Sequence, residues 1–209
     1  MIKVQFGTGP GPQKNDWINY DSSPTLLIQK IPFIGYKLTK NKPQFDLNIS
    51  YGDIVKGLPL KNNSVDYLFC SHTLEHLSYH DFNKAIFNSK SILKKGGNFA
   101  LIVPDLECYI NSYIKDKIVG KNKNPSINFM KNTHLGLYET RESTISRIKH
   151  AFSNTRHQWM WDEESLKNKL LEFNFKNITV HKKIRKDCIF NEVIIPDRLK
   201  KSIFIICTK

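Results

Sequence analysis

IKVQFGTGPGPQKNDWINYD, residues 2–21, is the stretch whose reading decides the fold. An apolar run (Ile2, Val4, Phe6) stops at Gly7-Thr8-Gly9-Pro10-Gly11, and a second run, Trp17-Ile18-Asn19-Tyr20, ends in Asp21. Strand, glycine loop, strand and acid describe a nucleotide-type pocket at the carboxyl edge of a parallel sheet. Glycines let the backbone turn sharply and approach a ligand, and a carboxylate beyond the next strand can accept bonds from two ribose hydroxyls. Taken alone, the same pattern also fits a plain turn between two strands. The run from Gly11 to Asp21 is too short for a normal crossover, which takes about a dozen residues. Pro10 and Pro12 also disfavour a regular helix there. The first crossover helix is therefore expected to be missing or reduced to a turn. Pro12 stands where a dinucleotide-binding loop carries its third glycine, which counts against a nicotinamide-dependent dehydrogenase.

Beyond Asp21, Ser23 and Pro24 read as the N-cap and first position of a short helix running to Ile31 and stopped by Pro32. Residues 32–45 read as an irregular surface connection, Asp46 to Tyr51 as a strand, and Val65 to Cys70 as a central strand buried on both faces. An amphipathic helix spans Asp81 to Leu93, ending at Lys94-Lys95-Gly96-Gly97, and a buried strand covers Asn98 to Val103. A helix is expected over Leu106 to Ile118, a long polar loop over 119–136, and a further helix over Glu139 to Lys149. Asp162 can cap a helix from Glu163 to Phe173, and strands are expected at Lys176 to Arg185 and Ser202 to Thr208. Strands and helices alternate and then close on a pair of strands, the order of an α/β domain with a mostly parallel sheet.

A chain of 209 residues with 40% hydrophobic and 24% charged residues fits one ordinary domain able to bury a core. Its longest apolar runs are far too short to span a bilayer, and the N-terminus reads as a strand rather than a signal peptide. The 4 cysteines are scattered without a CxxC pair, so free thiols in a reducing cytoplasm are expected rather than a zinc knuckle or a disulfide framework. A net charge of +13 is compatible with an anionic partner, nucleic acid included. Lysine supplies most of it, however, and arginine, the better residue for bidentate phosphate recognition, is sparse.

Several segments in register carry a resemblance to a known family. Val4-Gln5-Phe6-Gly7-Thr8-Gly9-Pro10-Gly11 is similar to the GxGxG first motif of class I S-adenosylmethionine-dependent methyltransferases, and Trp17 to Asp21 to their WxNxD segment. Gly52-Asp53-Ile54 with Leu58-Pro59-Leu60 and Asn63-Ser64-Val65-Asp66 resembles their third motif block. Ser71-His72-Thr73-Leu74-Glu75-His76-Leu77 looks like the segment after the fourth strand, and Leu93 to Gly97 with Val103-Pro104-Asp105 like the fifth-strand motif. His157-Gln158-Trp159-Met160-Trp161-Asp162 and Leu166 to Phe175 look like the C-terminal stretch of small "type 11" relatives linked to polysaccharide biosynthesis. The resemblance implies a Rossmann-like α/β fold: a mostly parallel seven-stranded sheet with an antiparallel C-terminal strand. It implies a single domain over 1–209, with 106–162 as an acceptor-side insertion or cap, and S-adenosyl-L-methionine as cofactor. Phe6, Gly7, Thr8, Gly9 and Gly11 would hold the methionine end, Asp21 the ribose, Asp53 and Ile54 the adenine, and Ser71 and His72 would lie under the sulfonium.

Methyl transfer needs a nucleophile's lone pair aimed at the methyl carbon, and an oxygen nucleophile benefits from a base near neutral pKa. His72, His157 and His76 are the catalytic candidates, with His134 also available. His72 to His76 formally matches the HxxEH zinc-protease pattern, but that chemistry needs one uninterrupted helix, whereas this segment leaves a buried strand. It also resembles the ExxEH metal-binding segment of small-RNA 2′-O-methyltransferases, with His72 in place of the first glutamate. The favoured reading is that Glu75 and His76 start the next helix and hydrogen-bond its backbone, so no metal ligands are assigned. His157 is read evenly as a base between aromatic walls or as a helix-start histidine satisfied by backbone, with Trp159 and Trp161 as core. Lys115 to Lys131, with Arg141 and Arg147, could cap an anionic acceptor such as a sugar phosphate, although a solvated face is the favoured reading. The expected activity is methylation, at oxygen, of a small-molecule or glycan acceptor. An RNA methyltransferase and a non-catalytic binding protein of the same fold are the alternatives.

Overall fold

Seven strands form one sheet in the order β3-β2-β1-β4-β5-β7-β6. The computed structural model describes residues 1–11, 13–120, 123–136, 156–184 and 187–209. The strands are β1 (Lys3–Phe6), β2 (Ile18–Asp21), β3 (Ile49–Tyr51), β4 (Val65–Ser71), β5 (Leu93–Pro104), β6 (Lys176–Val180) and β7 (Ser202–Thr208). The pairs β3·β2, β2·β1, β1·β4 and β4·β5 are parallel; β7 runs antiparallel to both β5 and β6. The sheet is thus mostly parallel, as expected, with the antiparallel strand at its C-terminal side. No helix among the described residues is long and apolar enough to cross a membrane.

Helices α1 (Pro24–Gln29), α2 (Gly35–Leu38), α3 (Tyr79–Ile92), α4 (Leu106–Val119), α5 (Pro125–Asn132) and α6 (Glu163–Glu172) connect or cover these strands. Their starts follow from side chains. Ser23 Oγ accepts from Thr25 N–H at 3.2 Å with Pro24 in the first turn, and Asp162 Oδ1 accepts from Ser165 N–H at 2.7 Å. Ser78 and Asp81 satisfy each other and the α3 backbone, the hydroxyl accepting from Asp81 N–H at 3.2 Å. Two expectations need correction. Residues 32–45 contain α2, and the polar stretch 119–136 contains α5, started by Pro125; α2 is only one turn long and α5 lies in a polar run, so no apolar period marks either. The expected helix at Glu139 to Lys149 lies outside the described residues, as do Arg141, Arg147, Arg185 and Pro12.

One sheet face is covered in the ordinary way, with α3 and α6 burying Phe82, Ile86, Leu166 and Leu170 against Val4, Phe6, Leu68 and Leu101. The other face is unusual. Among the described residues between β1 and β2 there is no helix, so the face that a first crossover helix would cover is open to another occupant. The segment between β6 and β7 takes that place. Its short 3₁₀ turn at Ile189–Glu192 inserts Phe190 among Trp17, Tyr67 and Phe69, with ring centroids 5.9 to 6.2 Å apart. Ile194 joins the same cluster beside Ala100, Ile102 and Phe204.

The rim of this cover is ionic. Lys3 Nζ pairs with Asp16 and, at 2.7 Å, with Glu192, whose Oε2 also accepts from Trp17 Nε1–H at 2.8 Å. Hydrogen bonds from Lys3 hold the Asp16 and Glu192 carboxyls below the usual carboxylate range and raise Lys3. Carboxyls depressed in the folded state contribute stability above their unfolded pKa, about 4, and lose it as pH falls through the folded value. A Lys3→Met variant should therefore show a flatter acid limb. Urea midpoints at neutral pH and near pH 3 should differ less than in the parent, and an unchanged difference would remove this network as a source of acid sensitivity.

Candidate functional site

Because β1, β2, β3 and β4 are parallel, their exits meet at one sheet edge. β1 leaves into the glycine loop, where Gly7 adopts φ +64° and Gly9 φ +69°. A left-handed φ suits glycine, and Gly7 is doubly constrained: a Cβ there would lie 2.7 Å from Thr73 Cβ. Thr73 Oγ1 sits 3.2 Å from the carbonyl oxygens of both Gly7 and Ser71, tying the β4 exit to the β1 exit. The loop is also fastened at its far end, since Gly11 N–H donates to Gln44 O at 3.1 Å.

Asp21 ends β2 with its carboxylate buried beneath this loop. Oδ2 accepts from Gly9 N–H at 2.9 Å and Oδ1 from Ser23 N–H at 2.8 Å. Asp53 follows β3; its Oδ1 accepts from Val55 N–H at 2.9 Å, and Lys56 Nζ lies 3.8 Å from Oδ2. Ile54 is 5% exposed and belongs to the core packed against α3. Ser71 is buried at the β4 exit, its hydroxyl making no hydrogen bond. A cavity of about 350 Å³ touches Phe6, Gly7, Thr8 and Ser71, and is walled opposite by Ile195 and Arg198. It does not reach Asp21, Asp53 or Ile54. Four of the expected cofactor residues, Phe6, Gly7, Thr8 and Ser71, thus line this cavity.

His72 turns out of β4 with φ +52°, and its two ring nitrogens face different partners. Nε2 lies 2.8 Å from Arg198 O, so it carries the proton and donates, while Nδ1 lies 3.3 Å from Glu75 Oε1. Burial opposes charge on this ring, but the Glu75 carboxylate and the Arg198 carbonyl together raise its pKa above the ordinary value. Leu74–His76 form a separate 3₁₀ turn before α3. This corrects the expectation that Glu75 and His76 open that helix. The Glu75 carboxylate is 0% exposed and accepts no hydrogen bond, so it does not satisfy the helix backbone either.

The segment after residue 155 closes over this turn. Gln158 N–H and Trp159 N–H donate to Glu75 O at 2.7 and 3.2 Å, Gln158 Nε2 donates to His76 O at 2.8 Å, and His76 Nδ1 donates to Arg156 O at 3.0 Å. His157 is thereby placed against the cluster: its Nε2 is 3.9 Å from Glu75 Oε1, and its ring lies 5.0 Å from that of His76 and 5.2 Å from that of His134. Burial, then the neighbouring imidazoles, lower its pKa to about 4 against the pull of Glu75, leaving the ring neutral at pH 7. Its Nδ1 makes no hydrogen bond, so the reading of a histidine satisfied by backbone is also corrected. Trp161 is core, as expected, but Trp159 is 41% exposed and packs at a tilt against Tyr79, ring centroids 4.8 Å apart. Sequence reasoning missed the central position of Glu75 and the parts of Thr73 and Arg198; Arg198 lies in a stretch with no recognisable pattern.

A family model described as "Methyltransferase domain" matches residues 12–180. No curated protein matches the chain. Among solved structures, the YcgJ protein of Bacillus subtilis is similar at 11% identity and a TM-score of 0.50, over 99% of this chain and 90% of that one. A methyltransferase solved in complex with the Trm112 methyltransferase activator of Haloferax volcanii is similar at 13% identity and a TM-score of 0.50, over 99% and 81% of the two chains. These likenesses carry the fold.

Proposed function

Since this chain belongs to the methyltransferase domain family, with S-adenosylmethionine as its methyl donor, we propose that its acceptor is a small-molecule or carbohydrate-type compound methylated at oxygen. Phe6, Gly7, Thr8, Gly9 and Gly11 are assigned to the methionine end of the cofactor, Asp21 to the ribose, Asp53 and Ile54 to the adenine, and Ser71 and His72 to the sulfonium end. The fit is supported by the missing side chains of Gly9 and Gly11, which leave open space beside the Asp21 carboxylate at the sheet edge. Bound there, S-adenosylmethionine supplies an electrophilic methyl carbon and a neutral thioether leaving group. Residues 106–162 are assigned as the cap on the acceptor side.

The observation that carries the oxygen acceptor is the set of imidazoles gathered at the β4 exit. An alcohol must shed its proton as it becomes an ether, and a neutral imidazole can take it. His72 Nδ1 faces the buried Glu75 carboxylate, so this ring orients rather than accepts, whereas His76, its Nδ1–H committed to Arg156 O, also turns toward the cluster and is assigned the proton. The test is incubation with S-adenosylmethionine and a panel of hydroxylated, amino and thiol acceptors, followed by mass spectrometry. Methyl ethers from hydroxylated acceptors are expected; transfer only to nitrogen, sulfur or carbon would overturn the reading.

Asp21→Asn gives a second test, on the cofactor side. Removing the charge weakens the ribose hydrogen bonds, and charge-assisted bonds are worth about 1.5–3 kcal/mol. S-adenosylmethionine affinity by calorimetry should fall at least ~10-fold; the melting temperature should fall as well, since the amide NH2 faces one of the two backbone N–H donors, so folding is checked by circular dichroism. Unaltered affinity would remove Asp21 from the site.

A further inference from the structure

We propose that Glu75, His76 and His157 bind a divalent first-row transition-metal ion at the exit of β4. Each offers a ligand atom, and these atoms lie within 4.8 Å of one another. Donors bound to one ion at about 2.0–2.2 Å sit roughly 3–4 Å apart, so closure needs a contraction of about 1 Å, within the reach of side-chain rotation.

Three features set this cluster apart from a chance grouping. Glu75 is fully buried, and neither carboxylate oxygen accepts a hydrogen bond, an arrangement that is costly without a cation. His72 approaches at 3.3 Å without hydrogen-bond alignment, and its other nitrogen is committed to Arg198 O. His157 has a side chain 7% exposed and an unpartnered Nδ1, with Nε2 turned toward Glu75. His76 donates Nδ1–H to Arg156 O, which fixes the tautomer and leaves Nε2 a lone pair, the usual outer arrangement of a metal-bound histidine.

The scaffold is rigid as well. Backbone bonds from Gln158 and Trp159 to Glu75 O, and the Gln158 side chain to His76 O, lock the two ligand-bearing segments together before any ion arrives. One carboxylate and two imidazoles suit the borderline ions manganese, iron, cobalt and zinc better than magnesium or calcium, which favour all-oxygen shells. Three protein ligands leave at least one position open to water or an acceptor oxygen; with the imidazole lone pairs held by the ion, the ion would acidify a bound hydroxyl in place of the imidazoles acting as base. That role rests on the oxygen-acceptor reading; the site itself does not.

The experiment uses the full chain stripped with a chelator and titrated with Co²⁺, followed by visible absorption and calorimetry. One ion per chain is expected, bound at least ~10-fold more tightly than Mg²⁺ and raising the melting temperature. His76→Ala and His157→Ala should each weaken Co²⁺ by at least ~30-fold, as should Glu75→Gln, which retains the size of the side chain. Folding of each variant is checked by circular dichroism without metal. The proposal is overturned if folded parent protein fails to bind Co²⁺ at millimolar concentration or binds Mg²⁺ equally well. It is also overturned if affinity is unchanged in both histidine variants. Because no acceptor or cofactor is present, failure here leaves the methyl-transfer reading standing, and the reverse also holds.

Discussion

Gly7→Ala should lose about 2–5 kcal/mol of stability, the sum of a left-handed φ forced on an L-residue and a methyl driven into a packed neighbour. Gly7 has φ +64°, and the added Cβ would fall inside the Thr73 side chain, which cannot retreat without releasing the carbonyls of Gly7 and Ser71. For a chain of this size the melting temperature should drop by roughly 5–15 °C. Gly9→Ala is the matched comparison: its φ is +69°, but nothing lies within 4 Å of the new Cβ, so only the backbone cost of about 1–2 kcal/mol remains. Equal losses at the two positions in urea denaturation would refute the Thr73 contact as the cause.

Phe190→Ala should cost about 3–5 kcal/mol, the range for emptying a buried aromatic site. Phe190 is 2% exposed and touches Trp17, at the entry to β2, and Tyr67 and Phe69, both on β4. No helix among the described residues stands behind it to collapse into the gap. Phe190→Leu, which keeps most of the apolar volume, should recover more than half of the loss. A Phe190→Ala variant within 1 kcal/mol of the parent, by the linear extrapolation that measures such differences, would mean that this segment does not hold the face.

The fold was legible where local chemistry and global order agree. Ser23-Pro24, Asp162 and the mostly apolar runs of β4 and β7 each announce their element, and the short run from Gly11 to Asp21 already implied the absent first helix. What covers the exposed face was not legible. The stretch 187–201 has no period and forms only 3₁₀ turns, so its contribution comes from one aromatic ring that meets its partners through long-range packing. The candidate site divides in the same way. The glycine loop, Asp21 and Asp53 stand out because each follows a strand end. The meeting of Glu75 with His157, 82 residues later by sequence number, depends on a backbone strap that no local pattern encodes. Glu75 looked like a helix-start carboxylate because acids are common there; only its burial without a donor marks it as something else.

Lys3 and Glu192 stand 189 residues apart in the chain yet meet at one end of the aromatic cover. During synthesis, β1, β4 and β5 emerge long before the segment carrying Phe190, so Tyr67, Phe69, Ala100 and Ile102 stay uncovered until that segment has followed. Contacts of such separation close slowly, and unsheltered apolar strands associate with one another. This face therefore closes only once the Phe190 segment is available, and the protein's yield in a cell depends on how well that waiting surface is shielded.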